Sequence, residues 1–216
     1  MSDIIVQHSG SILDVQLNRP AHKNAMTSSM YVAMADLLDG AGGDDQTRVV
    51  LWHGAGDSFT AGNDLEDFIA NPPPPSGSPQ SRLMDALIRF EKPLVAAVHG
   101  VAIGGGTTML GHCDFVYAGE STRFQVPFID LALVPEFGSS LLLPLRLGYL
   151  HAAELVLLGR PFSAAQAAEL GLVTRVVPDQ SLLATATETA QSLAKKPATA
   201  LLACKRFLKR ALREQL

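Results

Sequence analysis

Cysteine is nearly absent: Cys113 and Cys204 are the two in 216 residues. They stand at no metal-ligand spacing and give no sign of a secreted disulfide framework, so both read as reduced thiols. A strong charge of one sign is also missing, and a net charge of −4 provides no basic field for nucleic acid. The one basic run, Lys205-Arg206-Phe207-Leu208-Lys209-Arg210 with Arg213 after it, reads as a helix with its apolar residues to one side. That leaves a solvated helix face or a contact for a polyanion. No uninterrupted apolar run approaches membrane-spanning length, and Met1-Ser2-Asp3-Ile4-Ile5-Val6 lacks the basic start and apolar core of a signal peptide. A cytoplasmic protein with no membrane contact is the expectation.

What is present is a globular composition, 47% hydrophobic and 18% charged, with the profile of well covered sheets or an oligomer interface. One domain is the simpler reading at this length. Ile4 to His8 and Ile12 to Leu17 read as a hairpin around Ser9-Gly10, and a helix follows from a Thr27 cap to Leu38. Val49 to His53 is a buried strand. Phe59 to Leu65 is a loop entering a short helix that Asp64 caps. Asn71 to Gln80, with Pro72 through Pro75 and Pro79, reads as a mobile surface loop or lid, and Ser81 to Phe90 as a helix. Strands follow at 93–98, Phe115 to Ala118, Arg123-Phe124 and Val173 to Val177. Helices are expected at Ser140 to Leu147 despite Pro144, at His151 to Leu158, from a Ser163 cap to Leu170, and from Leu182 onward. No repeat is visible in the letters, and the alternation of small units predicts an α/β fold with mixed sheets.

Gly104, Gly105 and Gly106 sit where the 93–98 strand hands over to a helix, and backbone N–H groups with no Cβ in the way then point from the first turn. This is a place to hold an anion. A second loop, through Gly62 and Asn63, repeats the strand-glycine-helix design. If the fold brings the amides of Asn63 and Gly105 together, they form a two-donor oxyanion hole. The rival readings are a phosphate cradle and glycines that merely allow close helix packing. A spaced glycine pattern after the first strand and a P-loop Lys-Ser or Lys-Thr are both lacking, which disfavours the cradle.

Six segments occur in one order: Leu17-Asn18-Arg19-Pro20, Lys23-Asn24-Ala25-Met26, Phe59 to Leu65, Ala102 to Gly106, Gly159-Arg160-Pro161-Phe162-Ser163-Ala164, and Ala168-Glu169-Leu170-Gly171-Leu172-Val173. In order and spacing they resemble the crotonase, or enoyl-CoA hydratase/isomerase, superfamily over nearly the whole chain. The resemblance implies a spiral of repeated ββα units with C-terminal helices, a core over 1–190, and a shortened C-terminal helical region over 191–216. It implies a homotrimer or dimer of trimers that binds an acyl-CoA thioester, with coenzyme A part of the substrate and no other cofactor or metal. The thioester oxygen would lie against the amides of Asn63 and Gly105 beside Gly104. The adenine end would lie against Ala61, Asp64 and Leu65, with Lys23 as a phosphate contact.

Hydratases of this superfamily use two glutamates around one water. Their places match Thr108 and Phe128, neither of which can be a general base, although both remain candidates for contact with substrate. A carboxylate does occur in Val134-Pro135-Glu136-Phe137-Gly138-Ser139-Ser140. The place of Glu136 resembles that of the single catalytic glutamate in Δ3,Δ2-enoyl-CoA isomerases of the peroxisomal type. A lone base that takes a proton from C2 and returns it to C4 needs no water. Taken alone, Glu136 would equally be a surface residue in the first turn of a helix. Asp130 is a reserve acid, His53, His99 and His112 read as core or supporting residues, and Ser139 and Ser140 lack a histidine partner pattern. The reading is an enoyl-CoA isomerase, with hydration or another acyl-CoA reaction, or a silent acyl-CoA binder, as alternatives.

Overall fold

A hairpin opens the chain, where β1 (Ile4–Ser9) turns through Gly10 at φ +60° into the antiparallel β2 (Ile12–Leu17). The computed structural model describes residues 2–72, 74, 76–213 and 215; Pro73 and Pro75 of the proline-rich stretch lie outside them. Next to β2 come β3 (Val49–Gly54), β4 (Leu94–Val98), β6 (Phe115–Gly119) and β9 (Arg175–Val177), all parallel, in the order β1-β2-β3-β4-β6-β9. A smaller sheet joins β5 (Val101–Ile103) in parallel to β7 (Arg123–Gln125), and β7 antiparallel to β8 (Phe162–Ser163). β4 and β6 in the large sheet are each followed directly by a strand of the small one, β5 and β7. This is the turn of a spiral, which letter repeats did not reveal.

Parallel strands must be covered on both faces, and here they are. On one face α1 (Ser28–Gly43) and α3 (Pro79–Arg89) pack over the sheet, with Tyr31, Met34, Leu38, Leu83 and Leu87 against Val50, Trp52 and Leu94. On the other, Leu182, Ala186 and Ala190 of α8 (Leu182–Ala194) meet Val49, Leu51, Val95 and Tyr117. Residue 190 therefore falls inside a helix that packs on the sheet. The alternation of β3, odd residues to one cluster and even to the other, is the period-2 rule at work. The remaining helices are α2 (Leu65–Ala70), α4 (Gly105–Thr108), α5 (Ser139–Leu147), α6 (Tyr149–Leu158), α7 (Ala164–Glu169) and α9 (Ala198–Arg213).

Four expectations need correction. The strand that hands over to the glycines is β5, a separate three-residue element after the 94–98 strand. α1 runs past Leu38 to Gly43 because Lys92 Nζ donates to the carbonyls of Ala41 and Asp44 at 2.6 and 2.7 Å, satisfying its open end. α3 begins at Pro79, not Ser81, since proline suits a first helical position and Ser78 Oγ accepts from Ser81 N–H at 3.0 Å. On α9 the basic run is a solvated face only in part: Lys205 is buried against Asp114 at 2.6 Å and Lys209 is half-buried with its ammonium donating to the His112 carbonyl, whereas Arg206 pairs with Glu91. Arg206 and Arg210 are exposed, and so are the apolar Phe207 and Leu208. Among the described residues, no helix is long and apolar enough to cross a membrane.

Candidate active site

Three backbone segments run side by side at the edge of the small sheet. Met26 bridges to Asn63, Thr60 bridges to Ala102, and Ile103 N–H donates to the Thr60 carbonyl at 3.1 Å. The Gly62 and Gly104 turns therefore lie against each other. A Cβ on Gly62, at φ +87°, would come 2.5 Å from the Ile103 carbonyl oxygen, and Gly104 has φ +55° with ψ −121°, a region open in practice to glycine alone. Among the described residues, neither the N–H of Asn63 nor that of Gly105 is taken up by another group. The fold thus brings together the two amides singled out from the sequence.

Glu136 reaches the same point from the other side. A β-carbon on Gly105 would stand 2.7 Å from Glu136 Oε1, 3.2 Å from the Tyr31 hydroxyl and 3.4 Å from the Phe137 ring. The carboxylate is turned inward, and Oε1 is buried with no hydrogen-bond partner. Burial without a compensating cation lifts its pKa to about 7, with the Asn63 side-chain amide pulling the other way. The turn that aims it is unusual: Phe137, a buried aromatic, has φ +55°, followed by Gly138 at φ +64° and then α5. His112 Nε2 donates to the Phe137 carbonyl at 2.8 Å, and burial lowers the pKa of His112 to about 4, so the ring is neutral.

A cavity of about 450 Å³ opens in front of these amides, lined by Ala61, Asn63, Asp64, Leu65, Gly104, Gly105 and Phe128 among others. Its walls are mainly apolar, with Phe68, Ile103, Leu131 and Leu133 contributing. Glu136 does not line it; its carboxylate stands against the Cα of Gly105, which does. The side chain of Asp64 is occupied: it caps α2 through the N–H groups of Glu66 and Asp67, and it pairs with Arg19 at 2.7 Å, so its carboxyl is held below the usual range by Arg19 first. Its backbone N–H is taken as well, by the Met26 carbonyl at 2.9 Å. Lys23 and Thr108 are not lining residues. Lys23 is exposed at φ +47° and its carbonyl accepts from Ala61 N–H, while Thr108 is buried with its hydroxyl toward the Gly104 carbonyl at 3.3 Å. Asp130, the reserve acid, is exposed beside Gly159 and outside the cavity lining. A larger cavity, about 710 Å³ between α9 and the sheet, has Asp114 as its acid, already tied to Lys205.

The sequence profile of the enoyl-CoA hydratase/isomerase family matches residues 7–216. This chain belongs to that family. Enoyl-CoA hydratase EchA19 of Mycobacterium tuberculosis is 39% identical over 197 residues, covering 88% of this chain and 74% of that protein. Enoyl-CoA delta isomerase 2 of Rattus norvegicus is 34% identical over 99% of this chain, which spans 56% of that longer protein. The structure of Pseudomonas aeruginosa OdaA superposes with a TM-score of 0.96 at 42% identity, over 100% of this chain and 87% of that one. Family relatives thus carry both hydratase and isomerase names, and the crotonase fold expected from the motifs is the fold observed.

Sequence reasoning missed one polar member of this enoyl-CoA hydratase/isomerase site. Tyr31, on the buried face of α1, is 0% exposed and its hydroxyl donates to Asn63 Oδ1 at 2.5 Å. The signal was available: a tyrosine in register with Met34, Ala35 and Leu38 on a core face needs a partner for its hydroxyl. It also missed the anchoring role of His112, since no pattern links that residue to a carbonyl 25 positions later.

Proposed function

We propose that this enzyme moves the double bond of a 3-enoyl-CoA to the 2-position, with Glu136 carrying the proton from C2 to C4. The N–H groups of Asn63 and Gly105 hold the thioester oxygen, and they stabilise the negative charge that builds there as the enolate forms. Removing one such donor typically costs about 10²- to 10³-fold in rate. The observation that carries this reading is the unpartnered Oε1 of Glu136 beside Gly105. An acid with a pKa of about 7 both accepts and returns a proton near neutrality, which is what a one-base shuttle requires. Thr108 and Phe128, at the places of the two hydratase glutamates, supply no carboxylate for activating water.

In this reading coenzyme A enters as part of the substrate, its adenine end against the backbone of Ala61, Asp64 and Leu65, its phosphates near the exposed Lys23. The acyl chain takes the apolar wall of Phe128, Leu131 and Leu133. A homotrimer or dimer of trimers belongs to the same proposal, supported by exposed Leu145, Tyr149, Leu150 and Leu157 on α5 and α6. The test is a mass-resolved assay of 2-enoyl and 3-enoyl thioesters side by side. Isomerisation conserves mass and hydration adds water. Glu136→Gln is expected to abolish isomerisation while leaving acyl-CoA binding nearly intact; full activity in that variant removes Glu136 from the mechanism.

A further inference from the structure

Asn63 serves the site twice: it lines the cavity with its backbone N–H untaken, and its side-chain amide accepts from Tyr31 while also acting on the Glu136 carboxyl. A carboxamide has one accepting and one donating end, and which end meets a carboxylate decides whether the contact is attractive or repulsive. The Tyr31 hydroxyl donates at 2.5 Å to Asn63 Oδ1, which leaves Nδ2 for the other side. Tyr31 is fully buried, and its ring packs 6.2 Å from that of Phe137, the residue after Glu136. It also comes to 3.2 Å of where a Gly105 β-carbon would stand. One side chain on α1 therefore touches both amide-bearing loops and the turn that presents the acid.

We propose that Tyr31 is a positioning residue: its hydroxyl fixes the orientation of the Asn63 side-chain amide, so that Nδ2 and not Oδ1 faces the Glu136 carboxylate. The proposal rests on the reading of Glu136 as the proton carrier for its effect on rate, but not for its effect on the carboxyl itself. The direction of both titrations agrees with it. The Asn63 amide offsets part of the rise that burial imposes on Glu136, and the Tyr31 hydroxyl is held well above its usual pKa, first by burial and then by the Glu136 charge. The hydroxyl is thus a permanent donor at working pH.

The groups that face Glu136 leave few competing explanations. From α1 the facing group is Tyr31; from the Gly62 loop it is the neutral Asn63; from α4 it is Gly105. His112 contacts the turn through the Phe137 carbonyl and is neutral. No lysine, arginine or second acid contributes to the Glu136 environment among the described residues.

The test is Tyr31→Phe, which removes one oxygen. The Glu136 carboxyl is titrated without substrate by difference infrared spectroscopy, its band assigned by subtraction of Glu136→Gln. Expected is a midpoint raised by about 1 pH unit, because a freed amide no longer donates to the charged form. The lower limb of the kcat profile should move up by the same amount, with KM little changed. An unmoved carboxyl midpoint in folded Tyr31→Phe overturns the proposal. If wild type shifts no double bond yet the midpoint moves in Tyr31→Phe, the functional reading fails and the Tyr31 assignment stands. Should Tyr31→Phe not fold, fluorotyrosine at position 31 keeps the shape and strengthens the donor. The midpoint should then fall, and no change again overturns the proposal.

Discussion

Gly105 leaves empty the one point from which a β-carbon would press on Oε1 of Glu136 at 2.7 Å. The backbone there is helical with negative φ, so alanine meets no conformational penalty, and the consequence of adding a methyl group is steric and local. Gly105→Ala is expected to fold, losing about 1–3 kcal/mol to overpacking. Its kcat should fall by about 10²-fold, because a displacement near 1 Å at the reacting centre costs that much. Steady-state kinetics beside a thermal melt separates the two effects. Unchanged kcat would mean that Glu136 does not need its present place.

The raised carboxyl of Glu136 also sets a stability profile. In the folded protein the acid keeps its proton up to about pH 7, whereas in the unfolded chain it has released it above about 4.5. Between those values the folded state holds the extra proton, so the contribution of Glu136 to stability falls as pH rises through the window. Glu136→Gln has no such proton to lose. It should match wild type near pH 4.5 and exceed it by about 2–3 kcal/mol at pH 8. Urea denaturation at both values tests this, and an acid-side gain instead would contradict the buried, unpaired carboxyl.

The motifs made much of this site legible, for reasons that differ from residue to residue. Asn63, Gly105 and Asp64 could be read because glycine turns and helix caps are local features, written within a few positions. Glu136 could be read only by resemblance, since nothing near it says that a turn through Phe137 at φ +55° will aim it inward. Tyr31 lay hidden among core residues because burial of a tyrosine follows periodicity while its partner, Asn63, is set by the spiral. β5 and β8, three and two residues long, carry no periodic signal; they exist because neighbouring turns supply the partner strand. The basic face of α9 misled because Lys205 finds Asp114 on a distant strand end.

Arg19 ties the cavity wall together from outside the chemistry. Its Nη1 reaches both the Ala25 carbonyl at 2.6 Å and Asp64 Oδ2 at 2.7 Å, and both partners belong to lining residues. Both side chains are more than four-fifths buried, 16% and 13% exposed, so removing the cation leaves a poorly solvated carboxylate. Arg19→Ala should cost about 2 kcal/mol after allowance for the remaining exposure and for the two N–H groups that still cap through Asp64. The expected kinetic signature is a raised KM with kcat nearly kept, since Glu136 and Gly105 are untouched. A pure loss of kcat would place Arg19 in the chemistry instead.

His112 holds the other side of the Glu136 turn, and its charge state carries a pH signature of opposite sign. Burial lowers its folded pKa to about 4, so from its ordinary value of 6.5 downward the unfolded chain takes up a proton that the folded protein refuses. The contribution of His112 to stability is therefore lost as pH falls from about 6.5 to 4, by up to about 3 kcal/mol. His112→Leu removes this acid sensitivity and also the donor to the Phe137 carbonyl, freeing a turn that an aromatic residue at positive φ does not favour. Relative to wild type, its unfolding midpoint in urea should rise as pH is lowered from 6.5 to 4.5, because only wild type carries the His112 penalty while both proteins keep the opposing Glu136 contribution. At pH 7.5 its kcat should drop by about tenfold, the cost of about 1.4 kcal/mol in positioning. His112→Gln, which retains an N–H donor, is expected to recover part of the rate without restoring the acid sensitivity, and equal kcat in all three proteins would show that the turn holds its shape unaided.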